Sequence, residues 1–234
     1  MMGRTHTLTG LAAGALTLPA LPDAAGVVDQ VGWVLAVGGM AMLPDLDHPQ
    51  ATIARMWGPV TETAARGVAW VAGGHRNGTH DLLIAPLVFG LLAWAGLLTT
   101  IGTVIVVAVT AGLALRASSI AIPGDLEEHP LINAAASFGT AWWVVASNYA
   151  VPAWLPYAVV LGVLVHIAGD ALTHGGAPVP LTWLMDRPRR FPGGPIGTGG
   201  LVEQAVIAPA LVLATGWLIA VHTPLVGALT ALAR

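Results

Sequence analysis

The sequence contains no cysteine and no lysine, and only 9% of its 234 residues are charged. Without cysteine the chain can form neither a disulfide nor a thiolate metal site, so any metal must be bound by nitrogen and oxygen ligands. A soluble domain carries about 25% charged residues, and so small a charged fraction excludes a mainly water-facing surface. The net charge is −3 and no basic arm is present, so the sequence predicts no binding of nucleic acid.

Apolar residues make up most of the chain: 56% of the residues are hydrophobic and the mean hydropathy is +0.76. A membrane-spanning helix needs about 17 to 25 mainly apolar residues. The candidate segments, the first of them short, are Leu8–Leu21, Val27–Leu43, Leu82–Leu98, Ile101–Ile122, Ile132–Ala150, Ala153–Leu172 and Leu201–Leu225. We therefore predict an all-α fold, a polytopic membrane helical bundle of about six or seven membrane helices, in which residues 1–234 form a single domain embedded in a lipid bilayer.

Two long polar connections, 44–81 and 173–200, join these segments. If the segments cross the membrane in turn, both connections lie at one face, together with most of the arginines: Arg4, Arg55, Arg66, Arg76, Arg187, Arg189 and Arg190. Cytoplasmic loops carry an excess of basic residues, so we expect this face to be cytoplasmic. The unusual histidines and carboxylates collect at the same face, and ionisable groups at membrane depth are usually functional. The two connections are therefore predicted to form a site there.

His166 and Asp170 are one helical turn apart in the sixth apolar segment. The i, i+4 spacing places both side chains on one face of a helix, where they could bind a single ion. The alternative is a buried histidine–aspartate hydrogen bond that joins two helices. His174 lies one further turn along the chain, and a solvated side chain explains it equally well.

A second group of candidates, from His75 to Asp81, directly precedes the third apolar segment. His75, Arg76 and His80 lie in a glycine-rich stretch whose backbone can fold closely around a ligand. Histidine and carboxylate side chains are the nitrogen and oxygen ligands of zinc and similar ions. The alternative is a polar interfacial loop in which Thr79 or Asp81 caps the following helix.

Asp45, Asp47 and His48 form a third group, immediately after the second apolar segment. The preceding proline ends the helix, and the three side chains offer oxygen and nitrogen ligands; a simple interfacial turn is the alternative. Two further candidates are weaker. His6 can equally be a solvated residue near the amino end, and Glu203 opens the last segment, where the helix dipole favours a carboxylate in any case.

Taken in order, these motifs resemble the YdjM-like family. The matching residues are Thr5-His6 with Gly10, the Leu43–His48 segment, His75-Arg76 with Thr79-His80, and His166 with Asp170 and Thr173. The family consists of bacterial inner-membrane proteins described as metal-dependent hydrolases, some of them regulated by the DNA-damage repressor LexA. The resemblance also implies a distant relation to zinc-dependent phospholipases C and single-strand nucleases, and hence phosphoester chemistry.

We therefore predict an integral membrane hydrolase that acts on a phosphoester or on a lipid-like, amphipathic substrate through a metal-activated water. The cofactor would be one to three divalent ions, zinc in the first place and manganese in the second. The predicted metal ligands are His6, Asp45, Asp47, His75, His80, His166 and Asp170. Asp47 or Asp45 would act as base, and Arg76 would neutralise phosphoryl charge. The predicted supporting residues are His48, Thr79, Asp81, Thr173, His174 and Glu203.

Two other functions would use the same residues. A divalent-metal transporter also needs carboxylates within the membrane, but transport sites lie near the midplane between structural repeats, and this sequence shows no repeat. A non-catalytic membrane protein with a structural metal site is the second alternative. It would keep its metal and hydrolyse nothing.

Overall fold

A computed structural model describes residues 1–21, 26–121, 129–185 and 187–223, except for the side chains of 119–121. Within these ranges the chain forms eight α-helices and no strand. The helices are α1 (Gly3–Leu16), α2 (Val27–Met40), α3 (Pro59–Val71), α4 (Ile84–Gly96), α5 (Thr100–Ala121), α6 (Pro130–Ala146), α7 (Leu155–Ala171) and α8 (Ala208–His222). Short 3-10 turns lie at Leu43–Asp47 and Gly78–His80, and a π-helical turn, Glu203–Ile207, leads into α8.

The all-α prediction is confirmed, and each predicted apolar segment contains one helix. Helix α1 begins at Gly3 rather than Leu8, which places His6 inside the helix. The predicted ends at Ile122 and Leu225 lie outside the described residues. In the described chain, three helical segments are long and apolar enough to cross a membrane: Val27–Asp47, Thr100–Ser118 and Glu203–His222. Helices α4 and α7 are apolar but shorter, so helix length does not confirm six or seven crossings.

Helix α2 packs against α1, α5 and α7, and glycines at the contacts allow the close approach. A Cβ added at Gly10 of α1 would lie 2.8 Å from a backbone oxygen of α2, and one at Gly39 of α2 would lie 2.6 Å from a backbone carbon of α5. A Cβ added at Gly162 of α7 would lie 2.6 Å from the Cβ of Met40. Small residues commonly let membrane helices pack this closely. The position of α7 relative to the end of α2 is therefore fixed by backbone contact.

The starts of α1 and α4 and the ends of α2 and α7 meet at one end of the helical bundle. Both long connections lie at this end, and they are joined where Asp81 accepts a hydrogen bond from the backbone N–H of Leu181. The first connection includes α3, which buries Thr61 and Ala65 and leaves Trp70 exposed. The fold thus gathers segments that are distant in sequence around a single place.

Candidate metal centre

His166 is held by the backbone at the end of α2. Its Nδ1 lies 2.7 Å from the carbonyl oxygen of Ala41. A carbonyl can only accept a hydrogen bond, so Nδ1 must carry the hydrogen and donate it. In the neutral imidazole the free electron pair is then on Nε2. The ring is fully buried, so the backbone contact fixes both the orientation and the tautomer that a metal ligand requires.

Thr79 holds His80 in the same tautomer as His166. The Thr79 hydroxyl donates to Oδ2 of Asp47 at 2.5 Å, so its own oxygen is available to accept from Nδ1 of His80, 3.0 Å away. Nδ1 of His80 therefore carries the hydrogen, and Nε2 faces inward. The ring is 1% exposed, so water cannot replace these partners. His80 and His166 each direct an Nε2 atom towards the same point.

The two Nε2 atoms lie only 3.1 Å apart, and two free electron pairs at this distance repel unless a cation lies beside them. Carboxylates supply the opposite charge. Oδ1 of Asp45 lies 3.5 Å from His80 Nε2 and 3.7 Å from His166 Nε2, and Oδ2 of Asp170 lies 3.6 Å and 3.8 Å from the same atoms. Zinc bonds of about 2.0 to 2.2 Å give a tetrahedron with edges of about 3.3 to 3.6 Å. The separations fit a bound ion.

A proton is the other cation that can serve at this position. Burial alone would lower the pKa of His80, but the carboxylates of Asp45 and Asp47 outweigh burial and raise the pKa to about 9. Metal ligands must be deprotonated. A metal ion that binds here therefore has to displace the proton that His80 would otherwise keep at neutral pH.

Asp170 uses its two oxygens differently. Oδ1 is near the Met1 ammonium group at 2.6 Å, Arg76 Nη2 at 3.0 Å and His6 Nε2 at 3.2 Å. Oδ2 is buried and has no hydrogen-bond partner in the described part of the chain, although an unpaired buried carboxylate oxygen is costly. It is the oxygen that faces the two histidine Nε2 atoms. Asp170 therefore has one satisfied oxygen and one that is free to bind an ion.

His6 completes the buried cluster from α1. Its ring is stacked on that of His166, with centroids 3.6 Å apart and an interplanar angle of 15°. His6, His166 and Asp170 form one of the groups of side chains in which ligand atoms lie within 4.8 Å of one another. Nδ1 of His6 is buried and has no hydrogen-bond partner among the described residues. Because His6 lies within α1, its imidazole reaches the cluster and adds a nitrogen to it.

Asp47 organises the loop that carries His75, Arg76 and His80. Its Oδ1 lies 2.7 Å from His75 Nδ1, and its Oδ2 accepts from the Arg76 backbone N–H at 3.0 Å as well as from Thr79. Arg76 has a left-handed backbone, with φ of 62°, a conformation that costs an ordinary residue about 1 to 3 kcal/mol. Asp47, His75 and His80 also form a group that could hold an ion, but the oxygens of Asp47 already have donors.

A cavity of about 400 Å³ opens beside the cluster. Its polar lining includes Asp45, His48, His75 and Arg76. The Asp45 side chain is 20% exposed, whereas that of Asp170 is 2% exposed, so Asp45 connects the buried cluster with the cavity. The His48 ring packs edge-on against His75, 4.7 Å between centroids. The cavity thus offers a guanidinium and imidazoles beside the candidate ligands.

Three predicted supporting residues have structural roles away from the ligand atoms. Both oxygens of Asp81 are engaged, Oδ1 by the backbone N–H groups of Leu83 and Ile84 at the start of α4 and Oδ2 by the second connection. Glu203 accepts from the backbone N–H groups of residues 2 and 199. Thr173 donates to the Asp170 carbonyl. They hold together the segments that form the centre.

His174 is not brought to the centre. It is exposed, and its ring lies next to Gly197 in the second connection. It was predicted as a possible supporting residue one turn beyond Asp170, with a solvated side chain as the alternative, and α7 ends before it, at Ala171. The Ala41 carbonyl that holds His166 could not be predicted from the sequence, because every residue carries a carbonyl and the sequence does not show where it points.

A family model described as YdjM inner membrane protein matches residues 1–233. The match includes all four sequence motifs and both polar connections, so the family resemblance is confirmed. No curated protein and no solved structure matches the chain.

Proposed function

The chain belongs to the YdjM family of inner membrane proteins, and we propose that it is an integral membrane, metal-dependent hydrolase of a phosphoester or lipid-like substrate. One observation carries the proposal. Two buried Nε2 atoms 3.1 Å apart and the unpaired Oδ2 of Asp170 all point to one position beside a polar cavity. Such an arrangement is stable with a cation and costly without one.

We assign the ion to His80, His166 and Asp170, with the position that faces Asp45 and the cavity left for water. His6 contacts Oδ1 of Asp170 and would support that ligand. Two imidazoles and one carboxylate suit a zinc ion with an open position, and manganese is the second choice. Of the remaining candidates, Asp47 orients the loop and His75 lines the cavity. A second ion at Asp47, His75 and His80 would require the donors to Asp47 to rearrange, so we propose one principal ion.

The side chains around the cavity support hydrolysis. A bound zinc ion acidifies water to a pKa of about 7 and so supplies a nucleophile at neutral pH. Asp45 lies between the ligands and the cavity, and we assign to it the role of accepting a proton. Arg76 lines the cavity and presents a guanidinium, which pairs well with phosphoryl oxygens. In this proposal the cavity faces the cytoplasm, and the shorter helices α4 and α7 also lie within the bilayer.

The test is metal content measured together with hydrolysis. Protein purified without added chelator should contain stoichiometric metal, and removing the metal should abolish hydrolysis of phosphodiester and phospholipid substrates until zinc or manganese is restored. Mutation of a residue that only orients a metal ligand typically lowers metal affinity by about 10- to 100-fold. His166→Ala and Asp170→Ala, which remove the ligands themselves, should each lower metal affinity by more than this. His174→Ala is the matched control and should retain metal and activity.

The result also separates the alternatives. Metal-free protein that is folded and active, or full metal content in both ligand variants, would refute the proposal. Tightly bound metal without hydrolysis of any ester would point to a structural site. Metal flux into proteoliposomes, lost in His166→Ala and kept in His174→Ala, would point to a transporter.

A further inference from the structure

The second connection exposes apolar and cationic side chains side by side. We call this patch the loop surface and define it by the exposed residues Leu184, Met185, Arg187, Arg189, Arg190 and Phe191. Leu184 is 67% exposed, Met185 61% and Phe191 46%. Together with Asp186, the sequence of this stretch has three positive charges and one negative charge, a net charge of +2. Exposed apolar side chains that are grouped together and bordered by charged residues are typical of a protein or membrane interaction site.

The position of the loop surface along the chain indicates its depth. The second connection, residues 173–200, ends just before Glu203, the first residue of a candidate membrane span that continues to His222. The connection therefore lies at the level of the lipid headgroups. Apolar side chains next to arginines match this region, because the former can enter the acyl boundary while the latter meet phosphates.

Contacts with the first connection hold the loop surface in place. Asp81 Oδ2 accepts from the Leu181 N–H at 2.6 Å and from Trp183 Nε1 at 3.1 Å. Leu181 has a left-handed φ of 65°, which this contact secures. Arg190 Nη2 donates to the carbonyl oxygen of Arg76 at 2.9 Å and has further N–H groups for other acceptors. The patch is therefore a fixed feature of the fold.

We propose that the loop surface binds the headgroups of anionic phospholipids in the surrounding bilayer. The three arginines contact lipid phosphates, while Leu184, Met185 and Phe191 insert at the acyl boundary. This interaction is independent of the hydrolase proposal, because it requires neither a metal nor a reaction. Its link to the cavity is the Arg190–Arg76 hydrogen bond.

The absence of cysteine permits a direct test. Leu184→Cys in the full-length protein, labelled with an environment-sensitive fluorophore, is reconstituted into bilayers of neutral phosphatidylcholine with or without anionic phosphatidylglycerol. The anionic lipid should shift the emission to shorter wavelength and increase quenching by lipids that carry a shallow quencher. Replacing Arg187, Arg189 and Arg190 by Gln should remove this dependence, and replacing them by Lys should preserve it.

A label at Ser147→Cys is the positional control, because Ser147 is exposed just beyond the far end of α6 and should not respond to anionic lipid. A label at position 184 that stays in a polar environment in both bilayers would overturn the proposal. So would an unchanged lipid dependence in the Gln variant. A label that is shielded in every lipid and becomes exposed on dilution in detergent would indicate a protein–protein contact instead.

Discussion

At the scale of single residues, the Thr79 hydroxyl decides which nitrogen of His80 faces the candidate metal. It donates to Asp47 and accepts from His80 Nδ1, and it is buried. A valine has nearly the same shape but neither donates nor accepts. Without the hydroxyl, His80 could rotate or exchange tautomers, and Asp47 would lose a donor.

We therefore predict that Thr79→Val lowers metal affinity by about 10- to 100-fold, the range for residues that orient ligands. Titration of metal against a competing chelator in purified protein measures the change. Thr79→Ser keeps the hydroxyl and should bind almost as tightly as the unaltered protein. Thr63→Val removes an exposed hydroxyl that bonds only within α3, and it should have no effect. Equal affinity in Thr79→Val would contradict the proposed orientation of His80.

The sequence predicted the side chains of the centre better than their partners. The i, i+4 spacing of His166 and Asp170 was informative because α7 continues through both residues. The same spacing does not place His174 on this helical face, because the helix ends at Ala171. The end of a helix depends on tertiary packing as much as on local sequence. The Ala41 carbonyl has no sequence signal, because its role depends on where α2 ends against α7.

At the scale of helices, α2 is the element that sets the spacing of the centre. His166 projects from α7 to the carbonyl at the end of α2, and Gly162, one turn earlier, brings α7 into contact with Met40. The sequence showed both segments to be apolar and helical. It did not show which pairs of helices touch, because glycines alone do not say which neighbour approaches them.

Gly162→Ala should destabilise the protein by about 1 to 3 kcal/mol, the usual cost of overpacking, since the added Cβ would lie 2.6 Å from the Met40 Cβ and 2.7 Å from its carbonyl carbon. Its Tm in detergent should fall, and metal affinity should fall with it. Gly139→Ala is the matched control, since a Cβ there would have nothing within 4 Å. In a helix, alanine is more stable than glycine by about 0.5 to 1 kcal/mol. The Tm of Gly139→Ala should therefore be unchanged or higher. An unchanged Tm in Gly162→Ala would contradict the α2–α7 packing.

At the scale of the whole molecule, hydropathy identified the helices but not how many of them cross the bilayer. Helices α4 and α7 have 13 and 17 residues, whereas a full span takes about 20. A short apolar helix can cross where the bilayer thins or can be shielded by its neighbours. The direction of the chain is better defined. Helix α6 starts against the first connection, where Asn133 accepts a hydrogen bond from Trp57, and α7 ends at the metal centre with Asp170.

This arrangement makes the predicted orientation testable with two single cysteines. His174→Cys lies at the same end of the bundle as the metal centre, and Ser147→Cys lies just beyond the far end of α6; both positions are exposed. From the arginines near the centre, the positive-inside rule predicts that His174 lies on the cytoplasmic side. In right-side-out membrane vesicles, an impermeant maleimide should label position 147 and reach position 174 only after the membrane is opened.

The unaltered chain has no cysteine, so it gives the background directly. Labelling at 174 but not at 147 would invert the topology and place the centre outside, where cytoplasmic phosphoesters could not reach it. Labelling at both positions in closed vesicles would mean that the stretch between them, α7 included, does not cross the bilayer. If position 147 is labelled and position 174 is protected from the maleimide, the chain between them must cross the bilayer. Helix α7 is the only described helix in this stretch. The short helix α7 would then be a membrane helix that carries His166 and Asp170 to the cytoplasmic face.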